Sequence, residues 1–168
     1  HFGYAFDYSQ TSLGHQAQPA IPDFLQEILD RLPRLLDPRN LDLSPPNQIT
    51  INSYPPGLGI PPHTDDSSLG PMICSISLGS PVLMDLSLED KGETQLKRVC
   101  VDLPARSLMI MEGKVRWEWK HGIRARKVDR LPDGELRPRG HRVSITLRWV
   151  NSSKLAGGSK EAGSGVDG

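Results

Sequence analysis

The chain has 168 residues, a size that suits one domain, and its 36% hydrophobic content is enough for a core. Its 20 basic and 20 acidic residues cancel, which excludes whole-protein attraction as a way of holding nucleic acid. The 15 prolines and 16 glycines favour a turn-rich β protein over a helical bundle. No apolar run approaches membrane-spanning length and no signal peptide is visible, so no membrane partner is expected and a reducing intracellular compartment is the default. Cys74 and Cys100 lack metal or redox spacing and read as buried thiols rather than a disulfide framework. The chain opens on His1 rather than Met, which reads as a fragment or a trimmed chain.

Along the chain, Phe2 to Tyr8 alternates aromatic with small or polar residues and reads as a strand. Residues 9–20 read as a loop. Pro22 to Leu36 spaces Phe24, Leu25, Ile28, Leu29, Leu32, Leu35 and Leu36 onto one helical face. Pro22 suits the first turn, and Pro33 is expected to bend or end the helix. A proline-containing connector covers 40–47. Strands are predicted at 48–54, 72–78, 82–87, 96–102, 107–111, 115–120 and 142–150, with turn chemistry such as Pro55-Pro56-Gly57 between them. Many short strands after one helix predict a mainly β fold, a sandwich or a double-stranded β-helix of the jelly-roll, cupin-like type, with a supporting N-terminal helix. Residues 129–141 read as a mobile polar loop. A folded core over 1–151 and a flexible Gly/Ser-rich tail or linker over 152–168 are expected.

Three residues stand out for chemistry: His63, Asp65 and His121. In an extended segment, residues two apart share a side, so His63 and Asp65 can face one pocket while Thr64 points away. The third ligand has to come from another strand. His121 follows Arg116 to Lys120, read as a strand with Trp117 and Trp119 on one face. A His-x-Asp pair plus one remote His is the ligand set of a 2-His-1-carboxylate facial triad, which holds Fe(II) and leaves positions open for a cosubstrate and O2. Short motifs of this kind also arise by chance, so the flanking residues decide. Trp117 and Trp119 suit either base stacking or the core. Asp66 reads as a solvated acid. The basic run Arg124, Arg126, Lys127, Arg130, Arg137 and Arg139 reads equally as a phosphate-holding surface or a solvated loop.

The flanks are informative. Asn52-Ser-Tyr54-Pro-Pro56-Gly57 precedes His63-Thr-Asp65, His121 follows at a distance, and Arg142-Val-Ser144-Ile-Thr-Leu-Arg148 comes last. In this order the sequence resembles the AlkB family of Fe(II)- and 2-oxoglutarate-dependent dioxygenases. Within it the chain is most similar to the tRNA wobble-uridine hydroxylase branch, through Gln48 to His63, Ser75 to Ser80, Val82 to Asp85 and Lys120 to Lys127.

The resemblance implies a 2-oxoglutarate-dependent dioxygenase with Fe(II), 2-oxoglutarate and O2 as cofactors. It implies His63, Asp65 and His121 as metal ligands and catalytic centre, with Asn52, Tyr54, Arg142, Ser144 and Arg148 around the cosubstrate. Arg142 is assigned the far carboxylate, since arginine makes the two-pronged contact that lysine cannot. Arg148 is placed near the metal-bound end, or alternatively in an ion pair to Asp65. Strand alternation independently puts Arg142, Ser144, Thr146 and Arg148 on one face of their strand, and Asn52 and Tyr54 likewise share one face of theirs. The implied function is hydroxylation of a modified wobble uridine in tRNA. The alternatives are oxidative N-dealkylation of alkylated RNA or DNA, and a catalytically silent metal-binding interaction module. The implied partners are tRNA and a fused or associated tRNA methyltransferase. A monomer is expected, in the cytoplasm with the nucleus as a second location. Family members carry residues before the segment equivalent to His1, so the core is expected to lack its N-terminal part.

Overall fold

The structure, a computed structural model, describes residues 1–7, 12–17, 20–36, 44–89 and 97–150. The expected tail at 152–168 lies outside them. The chain runs β1 (Phe2–Asp7), β2 (Ser12–Ala17), α1 (Asp23–Leu36), β3 (Gln48–Tyr54), β4 (Ile60–His63), β5 (Leu69–Gly79) and β6 (Val82–Leu88). It continues with β7 (Lys97–Leu103), β8 (Ser107–Glu112), α2 (Gly113–Trp117), β9 (Lys120–Ile123), β10 (Val128–Arg130), β11 (Leu136–Pro138) and β12 (Arg142–Val150). A six-stranded sheet has the order β2-β1-β3-β12-β5-β8, a four-stranded sheet the order β4-β9-β6-β7, and β10 pairs with β11. All strand pairings among the described residues are antiparallel. The fold is mainly β, a double-stranded β-helix of the jelly-roll type.

The large sheet has two unlike faces, and the β3–β12 pair shows why. Ile49 lies opposite Leu147 and Ile51 opposite Ile145, while Gln48 faces Arg148, Thr50 faces Thr146, Asn52 faces Ser144 and Tyr54 faces Arg142. Because side chains alternate along a strand, the apolar set points one way and the polar set the other. The apolar face is sealed by α1 through Leu25, Leu29, Leu32 and Leu36, packed against Ile49, Cys74, Leu147 and Trp149. Burial of each such leucine contributes roughly 1.5–3 kcal/mol. The polar face turns toward the small sheet, and the site lies between the two.

Several expectations need correction. Phe24 and Leu35 are exposed, so the buried stripe of α1 is narrower than the seven apolar residues expected on it. The helix runs through Pro33 to Leu36, because Pro33 is exposed and lies in the last turn, where one lost hydrogen bond is tolerable. Part of the loop at 9–20 is strand β2, paired to β1. Residues 115–119 are not a strand, and only Lys120 of the predicted one belongs to a strand, as the first residue of β9. Glu112 ends β8, Gly113 has φ 56°, and the chain turns into the short α2. The loop at 129–141 contains the β10–β11 hairpin. Cys74 is buried as expected, but Cys100 is exposed. No helix among the described residues is long and apolar enough to cross a membrane.

Candidate active site

The small sheet brings the two histidines together. β4 and β9 pair with His63 opposite His121, and their ring centroids are 4.3 Å apart. This close approach depends on Gly122. A Cβ there would fall 2.8 Å from the Pro62 nitrogen and 2.9 Å from its Cα. Asp65 sits just beyond β4, in the segment that leads into β5. One ligand atom from each of His63, Asp65 and His121 lies within 4.8 Å of the others.

The atoms themselves fit a metal ion. His63 Nδ1 lies 2.9 Å from the Pro61 carbonyl oxygen. A carbonyl can only accept, so Nδ1 donates to it and Nε2 is the nitrogen left to face a metal. His121 is buried, and this burial pushes its imidazole from the ordinary 6.5 down to about 4, against the opposing pull of Asp65. It is therefore neutral at physiological pH, as a ligand must be. Asp65 Oδ1 accepts from Arg148 Nη2 at 3.0 Å, whereas Oδ2 is buried with no hydrogen bond. That orphan oxygen is 3.5 Å from His121 Nε2. Two donor atoms bonded to one ion at right angles lie roughly 3 Å apart, so the spacing suits shared coordination better than a hydrogen bond.

Arg148 thus makes the ion pair to Asp65, and its Nη1 also reaches Gln48 Oε1 and Thr50 Oγ1, both at 3.1 Å. Gln48 and Thr50 were not singled out from the sequence, although they continue the Asn52–Tyr54 face of β3 by simple alternation. Arg142 differs. It is 4% exposed, donates to Ser77 Oγ at 3.0 Å, and pairs with no carboxylate among the described residues. Its Nε is buried and unsatisfied. The Tyr54 ring lies 5.3 Å from its Cζ. Burial pushes the Arg142 guanidinium below its ordinary value, and the Tyr54 hydroxyl only partly offsets this. A buried cation without an anion is costly, and this one lines the same inner cavity as His63, Asp65, His121, Asn52 and Ser144. A second cavity of about 240 Å³ opens beside it, sharing Asn52, His63, Asp65 and Arg148 and adding Thr50 and Asp66.

Other residues have different roles from those expected. Asp66 is not a solvated acid: its carboxylate caps a turn, accepting from the Ser68 N–H and Oγ–H. Trp119 packs into the small-sheet core, while Trp117 stays exposed on α2. The basic run is largely spent on acids. Arg124 pairs with Asp85, Arg137 with Asp102, and both Arg126 and Arg139 with the fully buried Asp129. Lys127 and Arg130 are exposed and make no ion pair among the described residues. Arg116, read earlier as a strand position, is buried and donates to four main-chain carbonyls. No feature of the sequence marked it.

The family model described as "2OG-Fe(II) oxygenase superfamily" matches residues 3–148. The chain belongs to this superfamily. It is a 2-oxoglutarate-dependent dioxygenase with AlkB homologues among its relatives. It is 36% identical over 171 residues to tRNA (carboxymethyluridine(34)-5-O)-methyltransferase alkbh8 of Xenopus tropicalis, covering 91% of this chain and 26% of the relative. It is 31% identical over 175 residues to the alkylated DNA repair protein ALKBH8 homolog of Arabidopsis thaliana, covering 90% of this chain and 49% of that one. Superfamily membership thus covers nearly the whole chain, while the chain spans only a quarter to a half of these two relatives. The solved structure of OsALKBH1 superimposes with a TM-score of 0.62 at 21% identity, covering 88% of this chain and 75% of the other. That similarity bears on the fold alone.

Proposed function

We propose that His63, Asp65 and His121 hold Fe(II) and that the oxygenase hydroxylates a modified wobble uridine in tRNA. One observation carries the cosubstrate part: a buried Arg142 with no anion of its own among the described residues, on the wall of the cavity that the metal triad closes. The far carboxylate of 2-oxoglutarate supplies the missing charge, with Ser77 and Tyr54 fixing the guanidinium beside it. Asn52 and Ser144, one rung further along the β3–β12 pair, contact the cosubstrate between that anchor and the metal. Bound Fe(II) supplies activation of O2, coupling decarboxylation of 2-oxoglutarate to oxidation of a substrate C–H bond.

The protein's own part is geometric and electrostatic. Pro61 orients His63, Arg148 orients Asp65 and neutralises part of its charge, and burial keeps His121 unprotonated. The 240 Å³ cleft beside the triad receives the substrate group. The tRNA reading is supported by relatives named as tRNA methyltransferases, and by the portion of them that this chain matches, which leaves room for a methyltransferase partner. A relative named as a probable RNA/DNA demethylase, ALKBH6 of Danio rerio, is 31% identical over 62% of this chain and favours N-dealkylation as the second reading. Mass spectrometry of tRNA nucleosides after incubation with Fe(II) and 2-oxoglutarate separates them. Gain of one oxygen on a wobble uridine supports hydroxylation, and loss of a methyl group with formaldehyde release supports the demethylase reading. Unchanged nucleosides with wild-type enzyme would rule out both.

A further inference from the structure

Arg116 has no part in the reaction as derived above, yet it is 2% exposed beside the site. Its guanidinium reaches one short segment four times. Nε donates to the Gly70 carbonyl at 3.1 Å, Nη1 to Asp65 at 3.2 Å, and Nη2 to Asp66 at 2.7 Å and Leu69 at 3.2 Å. The Trp117 ring covers the group, 4.2 Å from Cζ to centroid. The turn itself closes without this help: Leu69 N–H donates to the Asp66 carbonyl, and Ser68 N–H to the Asp66 carboxylate. What the rigid, planar fork adds is a fixed placement of the segment, and of its first residue above all. Asp65 is thereby held at both ends, with its main chain gripped by Arg116 and its Oδ1 by Arg148. Only Oδ2 is left uncommitted, on the side of His121.

We propose that Arg116 is a positioning residue for the metal centre. It locks the main chain at Asp65 so that Oδ2 meets the ion in a preformed position. The proposal rests on the reading of Asp65 as a metal ligand. Partners that orient a ligand from behind typically contribute 10- to 100-fold in metal affinity. Lysine, a single point charge on a flexible stem, cannot span four carbonyls.

The test is titration of the full chain with Mn(II) alone, without cosubstrate, alongside thermal melts. Arg116→Lys should weaken Mn(II) binding about 10- to 100-fold. Leu32→Ala, destabilised in the α1 core far from the site, should bind as wild type does, which separates positioning from loss of stability. Guanidinium ion should restore Mn(II) binding to Arg116→Ala but not to Asp65→Ala. If Arg116→Lys binds Mn(II) like wild type while Asp65→Ala does not, the proposal is overturned. If Asp65→Ala itself binds normally, the ligand assignment fails first, and the two failures are distinct. Should the Arg116 variants not fold, Trp117→Ala decides. A several-fold loss of Mn(II) affinity supports the proposal, and wild-type affinity overturns it.

Discussion

Arg142→Met should do two opposite things. The side chain is 4% exposed, keeps one hydrogen bond to Ser77 and leaves Nε unsatisfied, so before cosubstrate binds it is a buried charge with no counter-ion among the described residues. Methionine keeps an unbranched apolar stem and removes the guanidinium with its charge. Replacing buried charge by apolar volume is commonly neutral or stabilising by about 1–4 kcal/mol. At about 2–4 °C per kcal/mol for a chain of this size, the cosubstrate-free variant should melt no lower than wild type and up to several degrees higher. The same change removes two charge-assisted hydrogen bonds to the far carboxylate. At about 2–4 kcal/mol together, that is a loss of roughly 30- to 1,000-fold in 2-oxoglutarate affinity. Calorimetry with Mn(II)-loaded protein measures the affinity, and thermal melts with and without 2-oxoglutarate measure the crossover. Wild type should gain stability on adding 2-oxoglutarate and Arg142→Met should not. Normal 2-oxoglutarate binding by the variant would refute the assignment. A melting point far below that of wild type would refute the claim that the charge is uncompensated.

Gly122→Ala should push β4 off β9, because the new Cβ meets the Pro62 backbone. A stability cost of about 1–3 kcal/mol in denaturant melts and at least tenfold weaker Mn(II) binding are expected, from separation of His63 and His121. Asp129 is fully buried, and burial alone would raise its pKa. Hydrogen bonds from Arg139, Leu83 N–H and Arg126 outweigh this and hold it below 3.8. A depressed carboxylate stabilises the fold above its unfolded pKa, and that contribution is lost as pH falls through the folded value. Asp129→Asn should therefore cost about 3–5 kcal/mol at neutral pH and flatten the acid limb of the pH–stability curve below about pH 4. If tRNA binds through the basic run, only its unpaired members should count. Lys127→Ala with Arg130→Ala should reduce the slope of log affinity against log salt by up to about 1.4–1.8, and Arg124→Ala, whose guanidinium already holds Asp85, should reduce it far less.

What the sequence revealed and concealed follows from what each element is built of. β12 was legible to the residue because Val143, Ile145, Leu147 and Trp149 alternate with Arg142, Ser144, Thr146 and Arg148 over eight positions before Val150 ends the strand. β4 was not among the predicted strands, because Pro61 and Pro62 are poor strand formers. It is an edge strand in the order β4-β9-β6-β7, and an edge is where proline is tolerated. β2 is likewise an edge strand. The β10–β11 hairpin carries no apolar signature because charge holds it, through Asp129 and its two arginines. The triad residues and both arginines were readable from motif order, and the structure brings them to one cavity. Arg116 was not readable, since its role lies in which carbonyls it meets. The Trp117–Trp119 alternation pointed to a strand, but Gly113 turns the chain at that point.

The pairing of β3 with β12 has a consequence for synthesis. Gln48 meets Arg148 and Tyr54 meets Arg142, so the inner wall of the cavity is made from segments some ninety to a hundred residues apart. Such distant pairings are slow to form. A nascent chain therefore carries His63, Asp65 and His121 before the strand that clamps Asp65 exists. Until then the apolar side of β3 lacks its neighbour, and the growing domain exposes an unpaired strand edge of the kind that chaperones cover. Emergence of β12 from the ribosome, rather than ligand supply, then sets the earliest moment at which the complete cavity can exist. A truncation inside β12 should leave no partly active remnant.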